Sequence, residues 1–260
     1  MEILQTAERV SHQDLSDNYV FQRSMLAYVE AAKMVSGNVL EIGTGSGYGI
    51  ELIAANATTF VTIDKYEPSI LSTPEIKSRK NIRFVQMNIP PLKGIEDSSF
   101  DFVISFQVIE HIEDDGAFVR EIHRVLKPGG KFILTTPNKK MSLTRNPWHV
   151  REYTVAELDR HLKQCFSKVE KLGVFGNQKA QAYYEKNKAA VAKITRFDIL
   201  NLQYRLPRWI LQIPYDLLNR LNRKRLLKSN NSLVADLSMQ DFTLAPATEH
   251  CLDLFYIAEK

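Results

Sequence analysis

Short apolar runs separated by polar, turn-rich stretches recur along the first two thirds of the chain, mostly in the order strand, turn, helix. Residues 17–35 place Val20, Met25, Tyr28, Val29, Ala32 and Val35 at roughly helical spacing ahead of Gly37, which predicts a helix. NVLEIG then reads as a buried strand, YGIELIAANA as a helix and TFVTID as a second strand ending on Asp64. A helix around 67–79, interrupted by Pro74, precedes the strands IRFVQMNI and FDFVISF. An amphipathic helix in GAFVREIHRVLKPGG, closed by Pro-Gly-Gly, leads to a fifth strand, KFILTTP. Thr154, with Glu157 three residues on, predicts a capping box at the head of TVAELDRHLKQCF. SKVEKLGVFG and CLDLFYIAEK read as further strands. Apolar strands alternating with helices call for a parallel sheet covered on both faces, a doubly wound α/β fold.

The pattern changes after residue 177. From Gln178 to Ser232 there are twelve Lys or Arg against three acids, while the whole chain carries only +4, so the remainder is net acidic. The expected organisation is an N-terminal helical segment (1–36), an α/β domain (37–177), a basic helical insertion (178–240) and the last strand of the α/β domain (241–260). The insertion is too apolar to stay disordered and admits three readings. It is a solvated helical face, a lid over a substrate pocket, or a contact with an anionic membrane through residues 205–228. For the third, Trp209, Ile210, Ile213, Leu217, Leu218 and Leu221 beside Arg220, Arg223, Lys224 and Arg225 are suitable ingredients. The aromatics do not interleave with the basic residues, so nucleic acid is not an expected partner.

Composition is that of an ordinary globular protein, 44% hydrophobic and 25% charged over 260 residues. No run of 18 apolar residues occurs, and the opening MEILQTAERVSHQD has neither a basic n-region nor an apolar h-region. Cys165 and Cys251 stand outside any CxxC spacing, which argues against structural zinc and for a reducing compartment. The expectation is a cytoplasmic protein, membrane-peripheral under the third reading of the insertion.

The candidate chemistry lies in VLEIGTGSGYG, residues 39–49. Glycines at 43, 45, 47 and 49, directly behind a strand, imply positive φ or close approach to a ligand. A dinucleotide site requires GxGxxG, but the sixth position from Gly43 is Tyr48 and from Gly45 is Ile50. The pattern is ExGxGxG, and the leading Glu41 suits a ligand with a cationic amino group better than a pyrophosphate.

These residues, together with VTID, MNI, SSFDFVISFQVIEHI, LKPGGKFILTTPN and NPWHVREYTVAEL, resemble the class I S-adenosylmethionine-dependent methyltransferases. NPWHVREYTVAEL is similar to a stretch in the branch with ubiquinone-type O-methyltransferases and glycan- or lipid-pathway enzymes. The resemblance implies a seven-stranded, mostly parallel Rossmann-like sheet with S-adenosyl-L-methionine as cofactor. It implies cofactor contacts from Glu41, Gly43, Thr44, Gly45 and Gly47, from Asp64 (toward the ribose) with Lys65, from Asn88 (toward the adenine) with Ile89, and from Ser105, Phe106 and Gln107. Some relatives carry ExxEH as a metal site. This chain has Gln107 in place of the first acid ahead of Glu110 and His111, so no metal is expected. His111 and His149 are candidate general bases. The expected function is methyl transfer to a small-molecule or lipid-linked acceptor, at oxygen. The alternative is a non-catalytic cofactor-binding protein whose basic insertion binds a partner or membrane. Acceptor identity and oligomeric state are not fixed by these residues.

Overall fold

The computed structural model describes Val10 and residues 14–260. Residues 1–9 and 11–13, which hold most of the opening stretch and the front of the expected 1–36 segment, lie outside the described residues. Eight strands, β1 (Asn38–Ile42), β2 (Thr59–Asp64), β3 (Ile82–Gln86), β4 (Phe100–Phe106), β5 (Leu126–Pro137), β6 (Lys168–Gly176), β7 (Phe242–Pro246) and β8 (Asp253–Glu259), form one sheet in the order β3-β2-β1-β4-β5-β8-β6-β7. β1 to β5 pair in parallel, whereas β8 runs antiparallel between β5 and β6, and β7 antiparallel along the outer edge of β6. The sheet therefore has one strand more than the seven expected. The added strand, FTLAP, is short, ends in proline and lies at an edge, where few partners shape its sequence.

Helices cover both faces. α1 (Asn18–Ala32), α2 (Ile50–Ala54) and α3 (Pro74–Lys77) precede β4, while α4 (Asp115–Val125) and α5 (Val155–Leu162) follow it. The strand pleat sorts the core into two layers: Val39, Ile104, Ile133 and Phe255 pack on one face with α1 and α2, and Leu40, Val103, Phe132 and Leu254 on the other with α4 and α5. α4 buries Phe118, Val119, Ile122 and Val125 completely or nearly so, each worth about 1.5–3 kcal/mol of apolar burial. The capping box at Thr154 forms, with both reciprocal hydrogen bonds to Glu157 present.

Two local expectations change. The helix around 67–79 is only a 3-10 turn (Ser69–Ser72) and the single turn α3, which starts at Pro74 because proline lacks the amide that an interior helical position would use. α4 ends at Val125, just ahead of Pro-Gly-Gly as expected, but that segment already belongs to the start of β5. Its pairing with β4 slips between Phe100 and Phe102, and Gly129 takes φ +77° in the irregular stretch.

Residues 178–240 form α6 (Gln178–Thr195), α7 (Leu202–Arg205), α8 (Arg208–Ser229) and α9 (Asn231–Ala235). Asn177 caps α6 by accepting from the amides of Lys179 and Ala180. The group is tied to the N-terminal helix: Asn18 Nδ2 donates to the carbonyls of Val234 and Leu237, and Arg223 pairs with Asp17 at 2.7 Å. Among the described residues no helix is long and apolar enough to cross a membrane.

Candidate functional site

The turn after β1 has φ of +93° at Gly43, +57° at Gly45 and +79° at Gly47. A Cβ on Gly43 would stand 2.3 Å from Val108 Cγ2, and one on Gly47 2.4 Å from Ile70 Cγ2. Gly49 is pressed against the Tyr28 ring, 2.0 Å from where its Cβ would be. Gly45 differs, because a Cβ there would find nothing within 4 Å. The turn is thus wedged in place at three glycines and open at the fourth. Its amides are aimed by the second strand: Gly43 and Thr44 donate to the Ile63 carbonyl, and Gly45 donates to Asp64 Oδ2 at 2.9 Å. Asp64 Oδ1 accepts from the Tyr66 amide, so this carboxylate at the tip of β2 holds the turn from the side. Lys65 is exposed, its ammonium 5.3 Å from the Tyr66 ring centre.

Glu41 is 1% exposed and lies beneath the turn. Tyr28 Oη donates to its Oε1 at 2.8 Å and Thr62 Oγ1 to its Oε2, and Thr62 is bonded in turn to the Thr44 hydroxyl at 2.6 Å. Burial pushes the Glu41 carboxyl up to about 7, the Asp64 charge adding to this and the two hydroxyl donors opposing it. A carboxyl whose folded value lies above its unfolded 4.5 contributes stability that is complete below about pH 4.5 and is lost as pH rises through about 7. Thermal unfolding from pH 4.5 to 7.5 is therefore expected to show wild type losing up to about 3 kcal/mol relative to Glu41→Gln. A pH-independent difference would refute the assignment.

The third strand ends before Asn88, which is exposed, and Ile89, which is half-buried. On β4, the buried Ser105 donates to the Ile42 carbonyl at 3.1 Å, and the buried Phe106 ring meets Tyr28 edge-on at 4.8 Å. Gln107 follows at φ +56°, unusual for a residue with a side chain, with its amide and its side chain both anchored to Thr135. Beside it, Asp253 is 3% exposed and pairs with Arg23 at 2.8 Å; burial raises the Asp253 carboxyl and the Arg23 charge opposes the rise. Neither Asp253 nor Arg23 was legible as a site residue, since both sit in segments read only for their apolar spacing.

His111 and His149, 38 positions apart, meet here with ring centres 5.0 Å apart. His111 Nδ1 lies 3.1 Å from the Trp148 carbonyl, so it carries the proton and donates. Asn146 Oδ1 accepts from the Trp148 amide, which turns Asn146 Nδ2 toward His149 Nε2 at 2.8 Å and makes that nitrogen the acceptor. The His149 proton then sits on Nδ1 and is donated to Glu152 Oε1 at 2.7 Å, while Ser142 donates to Oε2. The result is a carboxylate–imidazole pair with its basic nitrogen at Nε2. Glu110 lies behind, 1% exposed, accepting from Thr136 at 3.0 Å; burial raises its carboxyl against the two histidines. Potential ligand atoms of Glu110, His111 and His149 lie within 4.8 Å of one another, a set that could hold a metal ion. The sequence offered no signal for Glu152 or for this convergence.

His149 and Glu152 belong to the wall of a cavity of about 580 Å³ between α1, the 137–149 loop, α6 and α8. Tyr19, Val20, Tyr183, Leu211, Tyr215 and Leu252 give it a largely apolar lining, with Arg23 in the wall. Three contacts join its roof to the loop that bears His149 and to the loop after β4: Trp148 Nε1 donates to Asp216 at 3.0 Å, Arg145 to the Gln203 carbonyl at 3.0 Å, and Arg208 pairs with Glu113 at 2.5 Å.

A doubly wound sheet with an open glycine turn at the carboxyl end of β1 and an acid at the tip of β2 is the architecture of an α/β protein that binds a nucleoside-type cofactor. A methyltransferase-domain family matches residues 40–134. The "probable S-adenosylmethionine-dependent methyltransferase" of Mycolicibacterium smegmatis is 33% identical over 256 residues, 95% of this chain and 90% of that protein. The chain belongs to the S-adenosylmethionine-dependent methyltransferase family and is a methyltransferase that uses S-adenosylmethionine. A ubiquinone biosynthesis O-methyltransferase of Pseudomonas syringae is 28% identical over 42% of this chain and 48% of its own length. Among solved structures, an S-adenosylmethionine-dependent methyltransferase of Thermotoga maritima aligns at a TM-score of 0.53 and 15% identity, covering 93% of this chain and 92% of the other. The [4+2]-cyclase SpnF aligns at 0.52 and 16%, covering 93% and 80%. At such identities the likeness concerns the fold alone.

Proposed function

We propose that the chain methylates an oxygen of a small-molecule or lipid-linked acceptor that sits in the cavity roofed by α8. The observation that carries this reading is the His149–Glu152 pair in the cavity wall. Bound S-adenosylmethionine supplies an electrophilic methyl group on a sulfonium. The turn of Gly43, Thr44, Gly45 and Gly47 would cradle it, with room over Gly45, the one of these glycines not closed by neighbours. Asp64 offers a carboxylate to a diol, and Asn88 with Ile89 and Ser105 to Gln107 border the adenine and amino-acid ends. Glu41, bound beneath by Tyr28 and Thr62, would act through the turn it supports and through its charge.

At the acceptor, His149 Nε2 would take the proton of the hydroxyl once that hydroxyl replaces Asn146 Nδ2 at this nitrogen, the methyl–oxygen bond forming as the methyl–sulfonium bond breaks. Glu152 then stabilises the imidazolium by accepting from Nδ1. The apolar walls exclude water and hold the oxygen in line, a positioning effect able to lower the barrier by several kcal/mol. His111 supports the His149 ring from the side.

The test incubates the protein with methyl-labelled cofactor and cell extract divided into lipid, small-molecule, polysaccharide and macromolecular fractions. Label is expected in the lipid or small-molecule fraction, with mass spectrometry placing the methyl on oxygen; label on protein or nucleic acid refutes the reading. Because His149 acts as a base without a metal, turnover is expected to survive exhaustive chelation. Loss of activity restored by a divalent cation would assign Glu110, His111 and His149 to a metal instead.

A further inference from the structure

α8 has a mixed inner row and an apolar outer one. The inner row, with Leu211, Tyr215, Asn219 and Asn222, walls the cavity. The outer row, Trp209, Ile213, Leu217 and Leu221, repeats every four residues and stands in solvent, Trp209 being 72% and Ile213 79% exposed. The connector between α6 and α7 extends it with Phe197, Ile199 and Leu200, Ile199 at 85%. Of the fourteen large hydrophobic residues exposed among the described residues, twelve lie between Ile194 and Leu221, so this is one patch rather than ordinary scatter.

Charge identifies what the patch meets. Residues 193–228 hold nine Lys or Arg and only two acids, Asp198 and Asp216. Both acids have local partners: Asp198 accepts from the amides of Leu202 and Gln203, and Asp216 from Trp148 Nε1. Lys193, Arg196, Arg205, Lys224, Arg225 and Lys228 are exposed around the apolar row. A second copy is a poor occupant, because a two-fold contact would set this cationic face against itself. An anionic bilayer satisfies both properties, taking the apolar side chains into the acyl boundary and the cations among its headgroups.

We propose that the chain docks on an anionic membrane through the outer row of α8 and the 196–204 connector, so that a membrane-borne acceptor reaches the cavity on the inner side of the same helix. The docking face stands on this surface alone; the delivery of the acceptor rests on the function proposed above.

The test uses the full chain, saturated with S-adenosylhomocysteine, in sedimentation with vesicles of phosphatidylcholine alone or mixed equally with phosphatidylglycerol. Binding to the anionic vesicles is expected to be at least about tenfold stronger and to weaken in high salt. Trp209→Asp, Ile213→Asp and Leu217→Asp combined are expected to reduce it at least about tenfold, with cofactor affinity and unfolding temperature unchanged because all three side chains are exposed. Equal binding to both vesicles, no binding to either, or a variant that binds like wild type overturns docking. So does a dimer seen by light scattering that the variant dissolves. Failure of docking with cofactor binding intact leaves the methyltransferase reading standing. Docking without label transfer to any vesicle-borne compound overturns the delivery of the acceptor and keeps the surface.

Discussion

Gly43→Ala is expected to weaken binding of S-adenosylmethionine and S-adenosylhomocysteine by at least about thirtyfold and to destabilise the protein by about 2–6 kcal/mol. The backbone there has φ +93°, beyond the left-handed well that L residues tolerate, and the new methyl would stand 2.3 Å from Val108 Cγ2. Backbone strain of about 1–3 kcal/mol and overpacking of about 1–3 kcal/mol add at this position. Either the turn moves or Val108 does, and Val108 immediately follows Gln107, whose own backbone is at φ +56°. Gly45→Ala is the companion measurement. Its φ of +57° costs about 1 kcal/mol and its methyl clashes with nothing in the protein, so stability is expected to fall little. Affinity is expected to fall about tenfold or more, because the methyl enters the space the ligand needs. Calorimetric titration and thermal unfolding of both variants separate the two effects. Unchanged affinity in both would remove the glycine turn from the site.

His149→Ala is expected to lower kcat by about 10²- to 10⁴-fold, the range of a lost general base, with cofactor affinity unchanged. The residue lies in the acceptor cavity and not in the glycine turn, which is why the effect divides this way. Glu152→Gln is expected to cost only about tenfold, since an amide oxygen still accepts from Nδ1 but no longer stabilises the imidazolium by charge. Full turnover in His149→Ala would transfer the role to His111 or dispense with a base.

The turn and the strands around it were legible because their constraints are local. A strand must be apolar on both faces, a wedged turn must be glycine, and both marks appear within eleven residues of 39–49. Tyr28 shows where locality ends. Its helical spacing announced a core residue, yet its hydroxyl holds Glu41 and its ring forbids a side chain at Gly49. His149 was named as a candidate base, but its pairing with Glu152 was hidden, because that depends on the loop after β5 folding back against the turn after β4. The edge strand β7 and the bulged start of β5 were misjudged because proline and glycine read alike in a stop, a bulge and a frayed edge.

The place of β8 has a consequence for synthesis. β6 finds hydrogen-bonding partners only in β7 and β8, both of which leave the ribosome after the whole 178–235 helical run. A nascent chain therefore carries β6 with both edges bare, and β5 with one, while the four helices are being made. Until β8 slides between them, β1–β5 and β6–β7 are not yet one sheet, and the open edges at that stage are where aggregation or chaperone capture would begin.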